Sequence, residues 1–252
     1  MRRSRVIPCL LLSDGGLVKT VRFRKRTYVG DPINAVRIFN EKEVDELVLL
    51  DIDASRRGSP PDEALIEDVA SEAFMPIAYG GGVRTAQQAI RLAKLGVEKV
   101  IIDSAAIARP ALVGEVAASL GSSSTLVSIT VSRDWRGRWR VYDASRRQRL
   151  AIDPSTYARK MAELGAGELL IHDADRDGTY EGFDGALVST VAAAVPVPLI
   201  ACGGAGTVDH LAAGVAAGAG AVAAGSQFIF FGPHRAVLIN FPKEAELAAV
   251  MP

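Results

Sequence analysis

Short runs of apolar and β-branched residues alternate along the chain with segments whose apolar residues recur at spacings of three and four. The first pattern is typical of buried strands, and the second is typical of amphipathic helices. This alternation predicts parallel strands that are covered by helices. We expect eight strands, in the segments VIPCLLL, ELVLLDID, MPIAYGG, KVIIDS, TLVSITV, ELLIHDA, VPLIACGG and AVAAGS.

An internal repeat relates two of these strand–helix segments. The first begins at Met75 and the second at Val197, and the same offset of 122 residues pairs Glu46 with Glu168. A repeat at one offset predicts two fused half-barrels. They would close into a (β/α)8 barrel, because closure removes the sheet edges that half a barrel exposes. An open doubly wound sheet is the alternative fold, and we expect a single domain over residues 1–252.

Composition narrows the class of protein. The chain has 252 residues, 49% of them hydrophobic, and a formal net charge of zero, which fits one α/β barrel and gives no sign of nucleic-acid binding. The dense basic run at 22–26 is predicted to be a solvated loop, with a specific anion site as the alternative. Cys9 and Cys202 lie in apolar strands and indicate small core residues in a reducing compartment. With no apolar run near 18 residues, we expect a cytoplasmic protein without a membrane segment.

Glycine-rich turns follow strands at equivalent places in the two halves. The reactive face of a (β/α)8 barrel lies at the carboxyl ends of its strands, where glycines let backbone N–H groups approach an anion. YGGGVRT and CGGAGT occupy such places, followed by DSAA and AGSQF, and DRDGT adds a turn beside the second. The repeat therefore predicts two phosphate sites, with glycines that serve only as turns as the alternative. Asp103 would repel a phosphate in the first site.

Charged residues stand near the beginnings of four predicted strands. Strand positions two apart face the same way, so these side chains would meet inside the barrel at its floor, the amino ends of the strands. Two cations and two anions neutralise one another, which a low-dielectric interior requires. Periodicity alone favours a salt-bridge plug, formed by Arg5, Glu46, Lys99 and Glu168.

Motifs along nearly the whole chain resemble those of the HisF family, the cyclase subunit of imidazole glycerol phosphate synthase. They are VIPCL, GDP, DELVLLDIDAS, YGGGVRT, LGVEKV, SAAI, ELGAGELL, DRDGTYEGFD, IACGGAG and HRAVLINFP. The resemblance implies a (β/α)8 barrel that pairs with a HisH-like glutaminase as a heterodimer and needs no cofactor. In that family, ammonia from the glutaminase crosses the barrel from its floor. At the mouth it reacts with a bisphosphate ribonucleotide to give imidazole glycerol phosphate and AICAR.

The resemblance also assigns roles to individual residues. It implies that the four floor charges form an ammonia gate rather than a plug, and that Glu98 faces the glutaminase. Gly82 and Ser104 match the first phosphate site of the family. The second phosphate site is matched by Asp177, Gly178, Gly204 and Ser226.

Two departures from the family concern proton transfer. The first strand of the family usually reads CLDV, with an aspartate as general acid or base, and Leu11 stands at that position. A second aspartate, in a pattern like AIDAK, is replaced by Thr130. Leucine cannot carry a proton, and a hydroxyl without an activating base is a poor substitute near neutral pH. Because positioned proton transfer contributes about 10²–10⁴-fold, we expect the barrel's own cyclase activity to be lost.

Other polar residues are candidates to replace the missing aspartates. His172 has the intrinsic pKa for proton transfer, and Asp51 lies on the matching half of the barrel. A hydrogen-bonded scaffold histidine is the alternative for His172. The histidines at 172, 210 and 234 are too scattered to predict a metal site.

The segment from IPCLLL to KEVDEL is more similar to HisF paralogues found beside sugar-nucleotide amidation enzymes of surface-polysaccharide pathways. There, barrel and glutaminase supply ammonia to a separate amidotransferase. The leading hypothesis is therefore an ammonia-conducting barrel that serves such an amidation. One alternative is a histidine-pathway cyclase that tolerates Leu11 and Thr130, and another is a sensor of a phosphorylated metabolite.

Overall fold

The computed structural model describes residues 3–232 and 234–251. Its strands are β1 (Arg5–Ser13), β2 (Gly16–Val21), β3 (Arg24–Gly30), β4 (Leu47–Asp51), β5 (Ile77–Gly80), β6 (Lys99–Ile102), β7 (Thr125–Arg133), β8 (Trp139–Asp143), β9 (Gln148–Arg149), β10 (Glu168–Asp173), β11 (Leu199–Cys202), β12 (Ala221–Ala224), β13 (Phe230–Phe231) and β14 (Ala236–Val237). Its helices are α1 (Pro32–Glu41), α2 (Ala54–Arg57), α3 (Glu63–Glu72), α4 (Ala86–Lys94), α5 (Ser104–Ala108), α6 (Ala111–Leu120), α7 (Pro154–Glu163), α8 (Gly185–Ala192), α9 (Val208–Ala216), α10 (Ser226–Ile229) and α11 (Glu244–Val250), with a 3₁₀ turn at Ser122–Ser124.

Eight parallel strands close into a barrel. The order is β1, β4, β5, β6, β7, β10, β11 and β12, and β12 returns to β1 with Ile7 opposite Ala223. Helices connect successive strands on the outside, so the predicted (β/α)8 barrel is confirmed. The open doubly wound sheet is wrong, because no barrel strand is left with a free edge.

The inner face of the barrel follows the predicted alternation. A separate apolar cluster fills the barrel interior, whereas the larger core lies between the strands and the helices. On β10 the apolar Leu170 separates the charged floor residue Glu168 from His172, and Ile101 stands likewise between Lys99 on β6 and Asp103 just after that strand. The interior cluster comprises Ile7, Cys9, Leu11, Val18, Val48, Ala78, Ile101, Leu126, Leu170, Ile200, Cys202, Ala221 and Ala223.

The two halves repeat the same local geometry. A Cβ added to Gly81 would lie 2.6 Å from the carbonyl oxygen of Asp51, and one added to Gly203 would lie 2.6 Å from that of Asp173. Both glycines have positive φ angles, 132° and 100°. The sequence offset of 122 residues therefore carries a matching backbone contact. Helix caps recur at the same offset, Asp62 with Asp184 and Thr85 with Thr207.

Three hairpins were absent from the sequence prediction. β2 and β3 continue antiparallel from β1, β8 and β9 extend β7, and β13 pairs with β14. The basic run at 22–26 was predicted to be a solvated loop, but only its first two residues form a turn and the rest belongs to β3. Arg22 and Phe23 form the positive-φ turn between β2 and β3, and Arg24 begins β3. The predicted core positions of Cys9 and Cys202 are buried, and both thiols are free. Among the described helices, none is long and apolar enough to span a membrane.

Candidate functional site

The four charges predicted at the floor form a closed ring of ion pairs. Arg5 contacts both Glu46 and Glu168. The Nζ of Lys99 lies 2.9 Å from a carboxylate oxygen of Glu46 and 2.8 Å from one of Glu168. Both glutamates are buried. Burial opposes the charge of Arg5, but the two carboxylates outweigh it and raise its pKa. The ring is neutral in sum, which keeps four charges stable at the edge of the interior.

The loops around this ring carry an exposed aromatic residue that the sequence reading did not single out. Phe74 lies in the connection before β5, at the floor end, and is 89% exposed. Its backbone N–H is held by the Oδ1 of Asn40 at 2.9 Å. Glu98, immediately before β6, is also exposed at this end. Phe74 and Glu98 are therefore two exposed side chains at the floor end of the barrel.

At the other end, the mouth, the carboxyl ends of the strands surround a cavity of about 220 Å³. Leu11 and Thr130 both line it, and both are buried. The two positions at which the family pattern has aspartates therefore lie at the cavity, and they carry an aliphatic side chain and a hydroxyl. The basic run at 22–26 reaches the same wall through Phe23, Arg24, Lys25 and Arg26.

A carboxyl group occupies the space beside Thr130. The Thr130 hydroxyl donates to Asp103 Oδ2 at 2.8 Å, and the Ser128 hydroxyl donates to the same oxygen at 3.1 Å. Oδ1 of Asp103 is buried and has no hydrogen-bond partner within residues 3–232 and 234–251. Burial raises the pKa of Asp103 to about 6, although the two hydroxyls act in the opposite direction. Its carboxyl group is directed to β7 by these two hydrogen bonds.

His172 stands on the strand next to Thr130, with which it pairs in the sheet. Its Nε2 lies 3.5 Å from Asp177 Oδ1, and its ring meets the edge of Phe23 at 4.8 Å. Burial opposes the imidazolium charge, but Asp177 outweighs it and raises the pKa of His172. In the described parts of the chain, Nε2 has no well-formed hydrogen bond. The choice between a proton-transfer group and a scaffold histidine at His172 stays open.

A buried lysine lies beside this histidine. Lys19 Nζ donates to the carbonyl oxygen of Cys9, and burial lowers the pKa of the lysine. Both line a narrow second cavity of about 20 Å³ at the mouth. Of the residues predicted for the second phosphate site, all four line that cavity: Asp177, Gly178, Gly204 and Ser226.

The first predicted phosphate site lies on the larger cavity. Gly82 and Ser104 both line it, and Ser55 lies beside the Gly82 N–H, its hydroxyl oxygen 3.4 Å away. Gly82 also has a packing reason to lack a side chain, because an added Cβ would lie 2.7 Å from the carbonyl oxygen of Ser59. The glycine is thus required by the turn itself, and phosphate binding remains a prediction.

The remaining candidates have structural partners. Asp51 Oδ1 accepts from the backbone N–H groups of Asp53 and Ala54, both at 2.9 Å, so it caps the turn into α2. Burial opposes the charge of Asp53, but its ion pair with Arg26, at 2.6 Å, lowers its pKa. Asp51 also lines the larger cavity and stays a prediction as a proton-transfer group. No cluster of three or more His, Cys, Asp or Glu residues suited to a metal occurs in the part of the chain that the structure describes.

Comparison with known proteins places this architecture in a family. The sequence profile of the family described as "Histidine biosynthesis protein" matches residues 5–234. "Putative imidazole glycerol phosphate synthase subunit hisF2" of Pseudomonas aeruginosa is 51% identical over 96% of this chain and 97% of its own length. "Putative imidazole glycerol phosphate synthase subunit hisF3" of Vibrio vulnificus is 47% identical over 98% of this chain and 95% of its own length.

A relative in Leptospira interrogans, named as a HisF subunit in the same terms, is 42% identical over 99% of both chains. These matches cover the floor ring, the interior and the mouth together. The chain therefore belongs to the histidine biosynthesis protein family and, within it, to the HisF-type imidazole glycerol phosphate synthase subunits.

Proposed function

We propose that this chain is a cytoplasmic HisF-type barrel that binds a HisH-like glutaminase at its floor and conducts ammonia to its mouth. The ammonia then serves a separate amidotransferase, which amidates a sugar nucleotide in surface-polysaccharide biosynthesis. A phosphorylated ligand binds at the mouth through the two predicted phosphate sites.

The observation that carries the proposal is the sequence of layers along the barrel axis. The ring of Arg5, Glu46, Lys99 and Glu168 stands at the floor, apolar residues follow, and polar cavity walls come last. A neutral molecule of ammonia crosses apolar surroundings at far lower cost than an ammonium ion, whose charge would need a partner there. Such an axis supports delivery of ammonia as the neutral molecule.

The floor surface supports a protein partner at the entrance. Phe74 is 89% exposed there, and aromatic residues are enriched among the residues that dominate binding energy. Glu98 adds an exposed carboxylate at the same end. A glutaminase docked on this surface would release ammonia next to the charge ring, at the floor of the barrel.

A matched pair of variants tests the docking site. Phe74→Ala removes the floor aromatic, whereas Trp135→Ala removes a mouth-side aromatic that is 84% exposed. With a HisH-like glutaminase as partner, we expect Phe74→Ala to weaken the complex about 30-fold, the equivalent of a hot spot of about 2 kcal/mol. Trp135→Ala should leave the dissociation constant unchanged. Equal affinities for both variants would place the partner elsewhere.

Glutamine hydrolysis gives the functional readout. In the proposed assembly, the glutaminase depends on this chain for full activity, and Phe74→Ala weakens that dependence in parallel with binding. Hydrolysis that proceeds equally without the barrel would defeat the conduit. The sensor hypothesis would then gain, since it needs ligand binding but no glutaminase.

One observation favours a second function, cyclisation by the barrel itself. Asp103 places a carboxyl group on the cavity wall 2.8 Å from the Thr130 hydroxyl, so the mouth does not lack an acid. The purified chain, incubated with ammonium chloride and the bisphosphate ribonucleotide of the family, would then form imidazole glycerol phosphate. If no product forms, the cyclase function is rejected and only the ammonia-conducting function is kept.

A further inference from the structure

We propose that Asp103 is a catalytic residue, which moves the proton when ammonia adds to a carbonyl or imine carbon of a phosphorylated ligand in the mouth cavity. The proposal deepens the second function, cyclisation by the barrel itself, and it rests on the proposed function only for the arrival of ammonia. Its test supplies ammonium chloride directly and therefore does not depend on the glutaminase.

The first support is the way in which Asp103 is held. Thr130 and Ser128, on the neighbouring strand β7, both donate to Oδ2 and fix the carboxyl group. Oδ1 is buried and lacks a partner among the described residues. A buried carboxylate that serves only structure is ordinarily paired with a cation or fully hydrogen-bonded. A group that is fixed on one side and unsatisfied on the other is arranged for a ligand or a proton.

The second support is location. Asp103 lines the larger cavity, and so does Ser104 of the first predicted phosphate site. Lys99 of the floor ring and the apolar Ile101 lie on β6, and Asp103 follows directly after the strand ends at Ile102. Ammonia that leaves the apolar interior would therefore meet Asp103 among the first polar groups.

The third support is the electrostatic surroundings. The groups that face Asp103 are Ser128 and Thr130 on β7, His172 on β10, Asp143 on β8 and Tyr157 on α7. Burial raises the pKa of Asp103 to about 6, near the value at which a general acid or base works best at neutral pH. His172 favours the ionised carboxylate, and Asp143 opposes it.

The step balances with one carboxyl group. The nitrogen lone pair of ammonia forms a bond to the carbonyl carbon, and the electron pair of the C=O π bond moves to oxygen. Asp103, as carboxylate, takes a proton from the nitrogen, which has become positively charged. The resulting carboxylic acid returns that proton to the oxygen, so that a neutral carbinolamine forms and Asp103 is regenerated. Addition to an imine carbon follows the same course with nitrogen in place of oxygen.

The experiment measures formation of imidazole glycerol phosphate from the bisphosphate ribonucleotide and ammonium chloride by the purified chain between pH 5 and 9. We expect turnover whose rate rises with pH through about 6, the pKa of Asp103, once the rate is corrected for the fraction of free ammonia. Asp103→Asn should reduce it about 10²–10⁴-fold, and Asp103→Glu should retain part of it. Trp135→Ala, at the exposed rim, is the control that should match the wild type.

A positioning variant separates proton transfer from a merely structural role. Thr130→Val removes a hydroxyl that stabilises the carboxylate, so the acid limb of the pH profile should move up by about one unit. Absence of wild-type turnover, full activity of Asp103→Asn, or an acid limb that Thr130→Val leaves in place would each overturn the proposal. Turnover with ammonium in a chain that fails to couple to the glutaminase would retain Asp103 and refute the conduit.

Discussion

Replacing Asp103 by asparagine should stabilise the protein at neutral pH. The folded structure holds this carboxyl group in a buried site that raises its pKa to about 6, against an ordinary value of 3.8. A carboxyl group with a raised folded pKa favours folding only while it is neutral. Its contribution is complete below about pH 3.9 and is lost as the pH rises through about 6.

The magnitude follows from the difference between the two pKa values. About two units, at 1.36 kcal/mol each, give roughly 3 kcal/mol that the ionised group costs above pH 7. Asparagine keeps an acceptor oxygen for Ser128 and Thr130 but carries no charge. The free energy of unfolding of Asp103→Asn, relative to wild type, should therefore increase by up to about 3 kcal/mol between pH 4 and pH 7.5.

Urea denaturation across this pH range is the assay. Asp53→Asn is a control of opposite sign, because Arg26 holds the pKa of Asp53 below its ordinary value. The stability that Asp53 contributes is present above its unfolded pKa and is lost as the pH falls through its folded pKa. Asp53→Asn should thus lose stability, relative to wild type, as the pH rises. If the difference in the free energy of unfolding between Asp103→Asn and wild type does not change with pH, the conclusion that burial raises the pKa of Asp103 is refuted.

Two further predictions concern the barrel's floor and its repeat. Lys99→Met leaves two buried glutamates with one cation and should cost about 3–5 kcal/mol in urea denaturation, and Glu168→Gln added to it should recover more than half by restoring neutrality. In a working glutaminase complex, unchanged coupling in the double variant would count against a gate. Gly81→Ala and Gly203→Ala should each cost roughly 3 kcal/mol, since their Cβ atoms would lie 2.6 Å from a carbonyl oxygen. At Gly137 an added Cβ would meet no other atom within 4 Å, so alanine there should cost only about 1–2 kcal/mol. Equal losses of stability at all three glycines would refute the role of the close Cβ–carbonyl approach.

The barrel was predictable because its strands obey one simple rule. Parallel strands that are buried on both faces give continuous apolar runs, and charges at positions two apart reveal which face points inward. Lys99 and Glu168 were placed at the floor on this basis, and they do contact each other there. The repeat offset then fixed the equivalence of the two glycine turns.

The hairpins at the mouth were missed for the opposite reason. Most of β3, RKRTYVG, is exposed, so polar and apolar residues do not alternate along it. Its strand conformation comes from pairing with β2 rather than from burial of one face. Composition alone therefore indicated a solvated loop. Phe74 was missed because one aromatic in a connection gives no periodic signal, and only its exposure distinguishes it.

The direction of Asp103 could not be derived from the sequence, which indicated only that its charge would repel phosphate. Its hydrogen bonds to Ser128 and Thr130 depend on the register of β6 against β7, where Ile102 pairs with Val127. A residue-by-residue comparison with the HisF pattern records a lost aspartate at Thr130. The structure instead presents the carboxyl group of Asp103, directly after the adjacent strand β6, 2.8 Å from that hydroxyl.

Loss of an acid at a family position is therefore weak evidence for loss of acid–base chemistry. Side chains at the carboxyl ends of neighbouring barrel strands converge on one mouth. A carboxyl group supplied next to one strand can therefore occupy the space that an aspartate on the neighbouring strand would fill. Leu11 cannot carry a proton, and the candidates to replace it, Asp51 and His172, line the same cavity. Two carboxyl-bearing residues, Asp51 and Asp103, line the larger mouth cavity, and Asp51 also accepts two backbone hydrogen bonds in the turn into α2.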